Sequence, residues 1–329
     1  MSNVFSPSST RFKVIGVGGT GCQMVSRMAG SRIPSPSVVE YIAMDTDAQS
    51  LAMADVPKRI QLGGQLLHGL GSGNDPDMGR RAAEESYGVI RQTIMGSDIL
   101  FIVAATGGGT GAGSSPVIAE MAYRMGALTI GMAATPFAFE GTHRIETARQ
   151  GVAALLGSVD SLIVMPQDLI DFSFDGKPDV GAVFQTVADL MAKGVQMLTE
   201  AIYFPGLINL DFADVRAIFK DSGLTKMSFG CASGEDRAAE AAYATLANLS
   251  SDAAGKKAKA ALFTVAGNSG LTLCEVNSAA DVIKREIDPD ANISFAVNCE
   301  EKIGEEMKIC LIVTGFSGAE NSGLRGDGK

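Results

Sequence analysis

No apolar run in this chain of 329 residues approaches the roughly 20 that a membrane-spanning helix needs; the residues 99–105, Ile-Leu-Phe-Ile-Val-Ala-Ala, are among the longest. The first ten residues carry neither the basic nor the apolar segment of a secretion signal. Basic side chains are outnumbered, 27 Lys and Arg against 37 Asp and Glu. A net charge of −10 speaks against a nucleic-acid backbone or an anionic membrane as the main partner. Histidine is scarce, and neither His68 nor His143 has a nucleophile or metal-ligating partner at a useful spacing. The five cysteines (22, 231, 274, 299 and 310) are odd in number, scattered and free of C-x-x-C pairs, which excludes a disulfide framework and a structural zinc site. A reducing cytoplasm is the simplest compartment for such a chain. No G-x-x-x-x-G-K-[ST] occurs, so there is no P-loop, and no internal repeat is visible. With 46% hydrophobic and 19% charged residues, general disorder is ruled out, and the length suffices for one large or two medium domains.

Glycine is abundant instead: 39 residues, clustered at 16–21, 63–73, 107–113 and 126–141. Clusters that follow apolar runs suggest backbone loops built to approach a ligand closely. The order of elements supports that reading. Strands are expected at 11–17, 38–44, 99–105, 127–135 and 161–165, alternating with helices at 22–28, 77–95, from about Ser114-Ser115-Pro116 to Met125, and 142–156. Strand-then-helix alternation implies a parallel sheet with helices on both faces, whose binding sites lie beyond the carboxyl ends of the strands. The glycine clusters all fall at that edge. A long helix over 180–201 follows, then strands at 226–232, 261–267, 292–297 and 307–314 with helices at 234–249 and 276–286. The expected fold is therefore α/β: a Rossmann-like nucleotide-binding domain over 11–177, a central connecting helix over 178–202, and a smaller α/β domain with a mixed sheet over 203–316. The Ser/Pro-rich residues 1–10 and the Gly/Ser-rich residues 317–329 are expected to lack structure.

Consecutive glycines can turn backbone N–H groups toward one point, and a helix start behind them adds partial positive charge, which together suit a di- or triphosphate. Gly16-Val17-Gly18-Gly19-Thr20-Gly21 also satisfies G-x-G-x-x-G, with Asp45 and Asp47 downstream, so a dinucleotide-dependent oxidoreductase stands as one alternative. The second loop, Gly107-Gly108-Gly109-Thr110-Gly111-Ala112-Gly113, is more specific. It resembles the signature loop of the tubulin/FtsZ GTPases. Gly69-Leu70-Gly71-Ser72-Gly73 with Pro76, Pro136-Phe137-Ala138-Phe139-Glu140-Gly141 with Arg144, Asn209-Leu210-Asp211-Phe212-Ala213-Asp214-Val215, and Ala232-Ser233-Gly234-Glu235-Asp236-Arg237 resemble further segments of the same family. The likeness extends over about residues 11–316.

That resemblance implies a GTP- and GDP-binding protein that polymerises head to tail, the acidic loop of one subunit completing the nucleotide site of the next. By similarity, Gly19, Thr20, Gly21, Cys22 and Gln23 line the phosphates and base; Gly71, Ser72 and Gly73 approach the γ-phosphate. Gly107, Gly108, Gly109, Thr110 and Gly111 form the loop that cradles the α- and β-phosphates. Glu140 meets the ribose and Arg144 the sugar–phosphate side. Asp211 and Asp214 polarise the attacking water, with Asn209 orienting the contact. Read from spacing alone, Asp211 and Asp214 equally suit charges that complement a helix N-terminus. Mg²⁺ is expected to screen the polyphosphate, with no ligands assigned. A nucleotide-gated structural filament with slow or no hydrolysis is a further alternative.

The base end departs from the family pattern. Gln167, in Met165-Pro166-Gln167-Asp168, replaces an Asn that reads guanine. Phe184 stands where a ring stacks on the base, but Ala188 occupies the position of an acceptor, with Asp189 next to it, and Asp45 replaces an Asn. Losing one hydrogen bond to guanine costs about 1–3 kcal/mol, enough to weaken discrimination against adenine tenfold or more. Thr20 and Cys22 fill family glycine positions. The sequence ends at Lys329 without the terminal peptide that binds membrane tethers in this family: either the chain given is cut short, or it is a tail-less relative that assembles without such a tether.

Overall fold

The computed structural model describes residues 10–30, 38–166, 180–203, 206–249, 258–300 and 303–315, with the side chains of 166, 180 and 182–184 left aside. Residues 1–9, 167 and 316–329, on which some expectations fell, lie outside the described residues. The chain divides into two compact units, one over Thr10–Gln196 and the other from Met197 onward.

In the first unit, the order is β1 (Phe12–Val17), α1 (Gly18–Gly30), β2 (Val39–Asp45), α2 (Ala48–Met53), β3 (Lys58–Gln61), α3 (Gly64–Leu67), α4 (Pro76–Glu85), α5 (Tyr87–Ile94), β4 (Ile99–Ala105), α6 (Gly109–Arg124), β5 (Leu128–Thr135), a 3₁₀ turn (Ala138–Glu140), α7 (Thr142–Leu156) and β6 (Ser161–Pro166). Helix α8 (Val180–Tyr203) begins in this unit. The strands pair in parallel in the order β3-β2-β1-β4-β5-β6. Val14, Ile15, Ile42, Phe101 and Ile130 are fully buried. β4 is buried on both faces up to its last residue, as a strand covered by helices on both sides must be.

Two expectations need correction, and one strand was not anticipated. Residues 77–95 form two helices, because the backbone at Ser86 leaves helical geometry (ψ 12°) and its hydroxyl accepts the N–H of Gly63 at 2.9 Å. The edge strand β3 carries only one buried residue, Ile60, and so gave no apolar pattern to read. Helix α6 starts at Gly109 rather than near Ser114-Ser115-Pro116, and Pro116 lies inside it. Its glycines are helical because they pack rather than loop. A Cβ on Gly111 would overlap the carbonyl of Ala105, and one on Gly113 would overlap the Pro76 carbonyl and lie 2.8 Å from the Arg80 nitrogen. Ser114 Oγ, in the same helix, donates to the Gly79 carbonyl of α4 at 2.7 Å.

The second unit contains α9 (Phe212–Phe219), β7 (Gly223–Ala232), α10 (Arg237–Asn248), β8 (Ala260–Gly267), α11 (Leu273–Glu286), β9 (Asn292–Cys299) and β10 (Met307–Thr314). Its strand order is β7-β10-β8-β9; β10 runs antiparallel to β7 and β8, and β9 parallel to β8, which is the expected mixed sheet. Phe263, Ile283, Met307 and Leu311 centre its core. Arg237, at the start of α10, is buried and donates to Glu275 of α11 at 2.7 Å and to the Glu305 carbonyl at 2.8 Å.

Packing of α6 on α4 sets a test. Gly113→Ala is expected to lower stability by about 1–3 kcal/mol, since a methyl has no space there. Gly88→Ala in α5, where no atom lies within 4 Å of the new methyl, is expected to raise it by about 0.5–1 kcal/mol. Urea unfolding of both variants measures the difference.

Candidate functional site

At the carboxyl edge of the parallel sheet, the segments after β1, β2, β4 and β5 surround a cleft of about 380 Å³. Two helices start on it. α1 begins at Gly18, whose φ of +74° only glycine adopts without strain, and has no acidic residue in its first turn. α6 begins after Gly108, which provides no side-chain cap, and also lacks an acidic first-turn residue. The first turns of both helices therefore reach the cleft without an acidic side chain of their own, and that of α6 without a side-chain cap. Helix-start N–H groups, with the helix dipoles behind them, attract an anion.

A third wall comes from residues 69–73. It is tied to the end of β2 by Ala48 N to Gly69 O at 3.0 Å and Gly71 N to Thr46 O at 3.3 Å, and by a bridge between Asp47 and Leu70. Side-chain hydroxyls join the three walls. Thr46 and Thr110 share a hydrogen bond of 2.6 Å, and Thr110 Oγ1 donates to Ser72 Oγ at 3.2 Å, all three residues being buried. Asp47 caps α2, accepting from Gln49 N at 2.8 Å and Ser50 N at 3.1 Å. On the far side, Glu140 accepts from Phe137 N at 2.9 Å and from the Arg144 guanidinium at 2.5 Å. Arg144 is the one cation on the lining, and Glu140 already pairs with it. The cleft's pull on an anion thus comes from backbone dipoles rather than from free basic side chains.

Thirteen of the residues expected from sequence line this cleft: Gly19, Thr20, Asp45, Gly71, Ser72, Gly73, Gly107, Gly108, Gly109, Thr110, Gly111, Glu140 and Arg144. Gly21 and Cys22 do not. A Cβ on Gly21 would lie 2.6 Å from the Val103 carbonyl, so that glycine serves packing against β4. The buried Cys22 thiol points to the carbonyls of Gly16 at 3.4 Å and Met44 at 3.5 Å, and burial raises its pKa well above the usual thiol range. Gln23 and Ala188 border a separate notch of about 20 Å³ with Thr20, Met24 and Arg27. Asp189 is exposed nearby in sequence on α8; Gln167 and the Phe184 side chain lie outside the described residues. Arg27 was not anticipated, since a lone cation two helical turns past a loop carries no motif. Thr46, Asp47 and Ser50 were missed as lining residues for a similar reason: an N-capping pattern after a strand reads as local structure.

Asn209, Asp211 and Asp214 belong to the second unit. Their loop is held by Val297 N to Ile208 O at 3.0 Å, Leu207 N to Val297 O at 2.9 Å and the buried Leu210, whose N–H meets Ala201 O at 3.2 Å. Asn209 Oδ1 accepts from Gly206 N at 2.6 Å. Asp211 caps α9, accepting from Asp214 N at 2.8 Å, while Asp214 accepts from Asp211 N at 3.4 Å. Both carboxylates are exposed, so this reciprocal capping leaves them facing water. Among the described residues no group of three or more His, Cys, Asp or Glu side chains could hold a metal ion. No helix among the described residues is long and apolar enough to cross a membrane.

Gly108 gives a direct test of the anion site. Its φ of −108° and ψ of 160° suit any residue, and no atom lies within 4 Å of an added Cβ. Gly108→Asp is expected to leave the urea midpoint unchanged or slightly raised, because Asp is a good N-cap. The new carboxylate takes the place of the anion, so GDP affinity measured by calorimetry is expected to fall by about tenfold or more, equivalent to roughly 1.4 kcal/mol.

Comparison with known proteins agrees with this geometry. The family described as Tubulin/FtsZ family, GTPase domain matches residues 11–172, and FtsZ family, C-terminal domain matches residues 223–317. An empty FtsZ dimer from M. jannaschii is 33% identical, with 94% of this chain and 89% of that chain covered and a TM-score of 0.86. CetZ2 from Haloferax volcanii, in a GTPγS-bound protofilament, is 18% identical with 95% of each chain covered and a TM-score of 0.80, a likeness of fold. Two family models that together span most of the chain and a relative 33% identical over 94% of it show that the chain belongs to the tubulin/FtsZ family of GTPases.

Proposed function

We propose that this protein binds GTP in the cleft of its first unit, polymerises head to tail, and hydrolyses the nucleotide with Asp211 and Asp214 supplied by the neighbouring subunit. The observation that carries the reading is the composition of the cleft: its lining comes wholly from residues 17–144 and contains backbone donors for phosphate, and its carboxylates, Asp45, Asp47 and Glu140, are all hydrogen-bonded to the protein. In this reading the water-activating group comes from the neighbouring subunit. Exposed carboxylates on an anchored loop, such as Asp211 and Asp214, meet that need. Phosphoryl transfer asks mainly for positioning and charge stabilisation, which suits a site divided between two copies. Membership in the tubulin/FtsZ family supports this reading over a dinucleotide-dependent oxidoreductase. The dimer and protofilament of the related structures support self-association as the partner choice.

In this reading, Gly109, Thr110 and Gly111 hold the α- and β-phosphates on the α6 amides, and Gly71, Ser72 and Gly73 close on the γ-phosphate. Glu140 is oriented by Arg144 toward the ribose. Mg²⁺ supplies charge screening when bound to the phosphates. Base recognition falls to Gln23, Asp189 and the residues around Ala188, and guanine is the proposed base. A filament with slow hydrolysis is the second reading, favoured by the capping box, since Asp211 and Asp214 already have a structural use there.

The capping role dictates the choice of variant. Asn caps as well as Asp, so Asp211→Asn keeps α9 while removing the base. Phosphate release with GTP is expected to rise cooperatively with protein concentration, to exceed that with ATP, and to fall by about 100-fold or more in Asp211→Asn. Mixing Asp211→Asn with Gly108→Asp, each inactive alone, is expected to restore turnover at the mixed interface. Assembly by light scattering with no turnover in the wild type supports the scaffold instead, and turnover of Asp211→Asn equal to wild type removes the loop from the chemistry.

A further inference from the structure

Of the three carboxylates on the cleft lining, Asp45 alone is buried, at 2% exposure. It ends β2. Its Oδ1 accepts from Thr46 N at 2.8 Å and Asp47 N at 3.4 Å. Its Oδ2 has no hydrogen-bond partner, although the Ser50 hydroxyl stands close enough to favour the charged form. A Cβ on Gly19, in the first turn of α1, would be 3.7 Å from that oxygen, so Oδ2 stands directly behind the loop whose amides face the cleft.

The charges around Asp45 are few. Asp47, two residues on, opposes its ionisation. From α1 comes the Cys22 thiol, which stays neutral. α2 presents Ser50, with no charge. On β3, Gln61 is opposite Asp45 and Arg59, two residues back, is exposed. On β1 the one titratable residue, Lys13, pairs with Glu40 at 3.2 Å at the strand's other end. Across the cleft Arg144 is paired with Glu140. No cation faces Asp45 among the described residues. In the free protein the Thr46 and Asp47 amides and the nearby Ser50 hydroxyl favour its charge; burial, the largest influence, already pushes its carboxyl above the usual range.

We propose that Asp45 takes up a proton from solvent each time a polyphosphate binds in the cleft, the proton forming an O–H bond at the unpartnered Oδ2. The bound anion adds like charge beside the carboxylate, and no basic side chain among the described residues faces it to offset that charge. This rests on the cleft being the nucleotide site. The sign follows: uptake of a proton on binding makes affinity fall as pH rises, by up to about tenfold per pH unit between the free and bound pKa values.

Calorimetry of GDP binding without Mg²⁺, in two buffers of different ionisation enthalpy, counts the protons. GDP's own phosphate contributes equally to wild type and to Asp45→Asn, so the difference belongs to Asp45. Wild type is expected to take up measurably more protons on binding than Asp45→Asn, and the variant to bind with a flatter pH profile and more tightly at high pH. The wild-type infrared difference spectrum, bound minus free, is expected to gain a protonated-carboxyl C=O band, a readout that needs no variant. Equal proton counts with GDP bound and no such band overturn the proposal alone. A difference that appears only when Mg²⁺ is added overturns it as well, since Asp45 then acts through a cation. Absence of GDP binding to wild type overturns the nucleotide reading and this proposal together.

Discussion

Helix α6 lies so close to the end of β4 and to α4 that Gly111 and Gly113 leave no space for a Cβ. Much else at the cleft depends on that approach. It brings the first turn of α6 to the carboxyl edge of the sheet without a side-chain cap, and it places Thr110 where its hydroxyl can join Thr46 and Ser72. A bulkier helix start would stand off from the sheet, and the hydroxyl chain between the three walls would open. Packing density and anion recognition are here one requirement, because the same absence of side chains serves both.

This double use explains what the sequence showed and what it hid. The parallel first sheet, the mixed second sheet and the bounds of α7 and β10 were legible from apolar runs and their spacing. A glycine run looks like a loop, however, and only the carbonyls of Ala105 and Pro76 reveal that residues 109–113 are helical. Gly21 and Cys22 mislead in the opposite way. They sit in a loop motif, but Gly21 packs on β4 and Cys22 points into the interior, because both lie on the buried face of α1. Motifs give the position of a site along the chain. Which side chains reach it is decided by the 3.6-residue period and by neighbours distant in sequence.

Asp211 and Asp214 show a similar overlap between structure and function. Spacing alone could not separate a helix cap from a pair of catalytic carboxylates, and the structure does not make them exclusive. Each carboxylate accepts one backbone N–H, and both remain exposed. A cap orders the side chains that form it. A carboxylate held at a helix start is less free than one at the end of a mobile side chain, and so is better placed to orient a water molecule.

Charge bookkeeping separates this cleft from one built on basic side chains. Its lining holds Asp45, Asp47 and Glu140 against Arg144 alone. Glu140 neutralises Arg144, and Asp47 is committed to capping α2. What remains is a buried carboxylate beside the place where a polyanion would rest, favoured only by the Thr46 and Asp47 amides and the Ser50 hydroxyl. A bound polyphosphate adds negative charge to that arrangement with no basic side chain facing Asp45 among the described residues. Either a cation carried by the phosphates or a proton on Asp45 must restore the balance. The first neutralises the ligand from the solvent side. The second acts from behind the glycine loop, at Oδ2, where the absence of a hydrogen-bond partner leaves the oxygen able to accept a proton without breaking an existing contact.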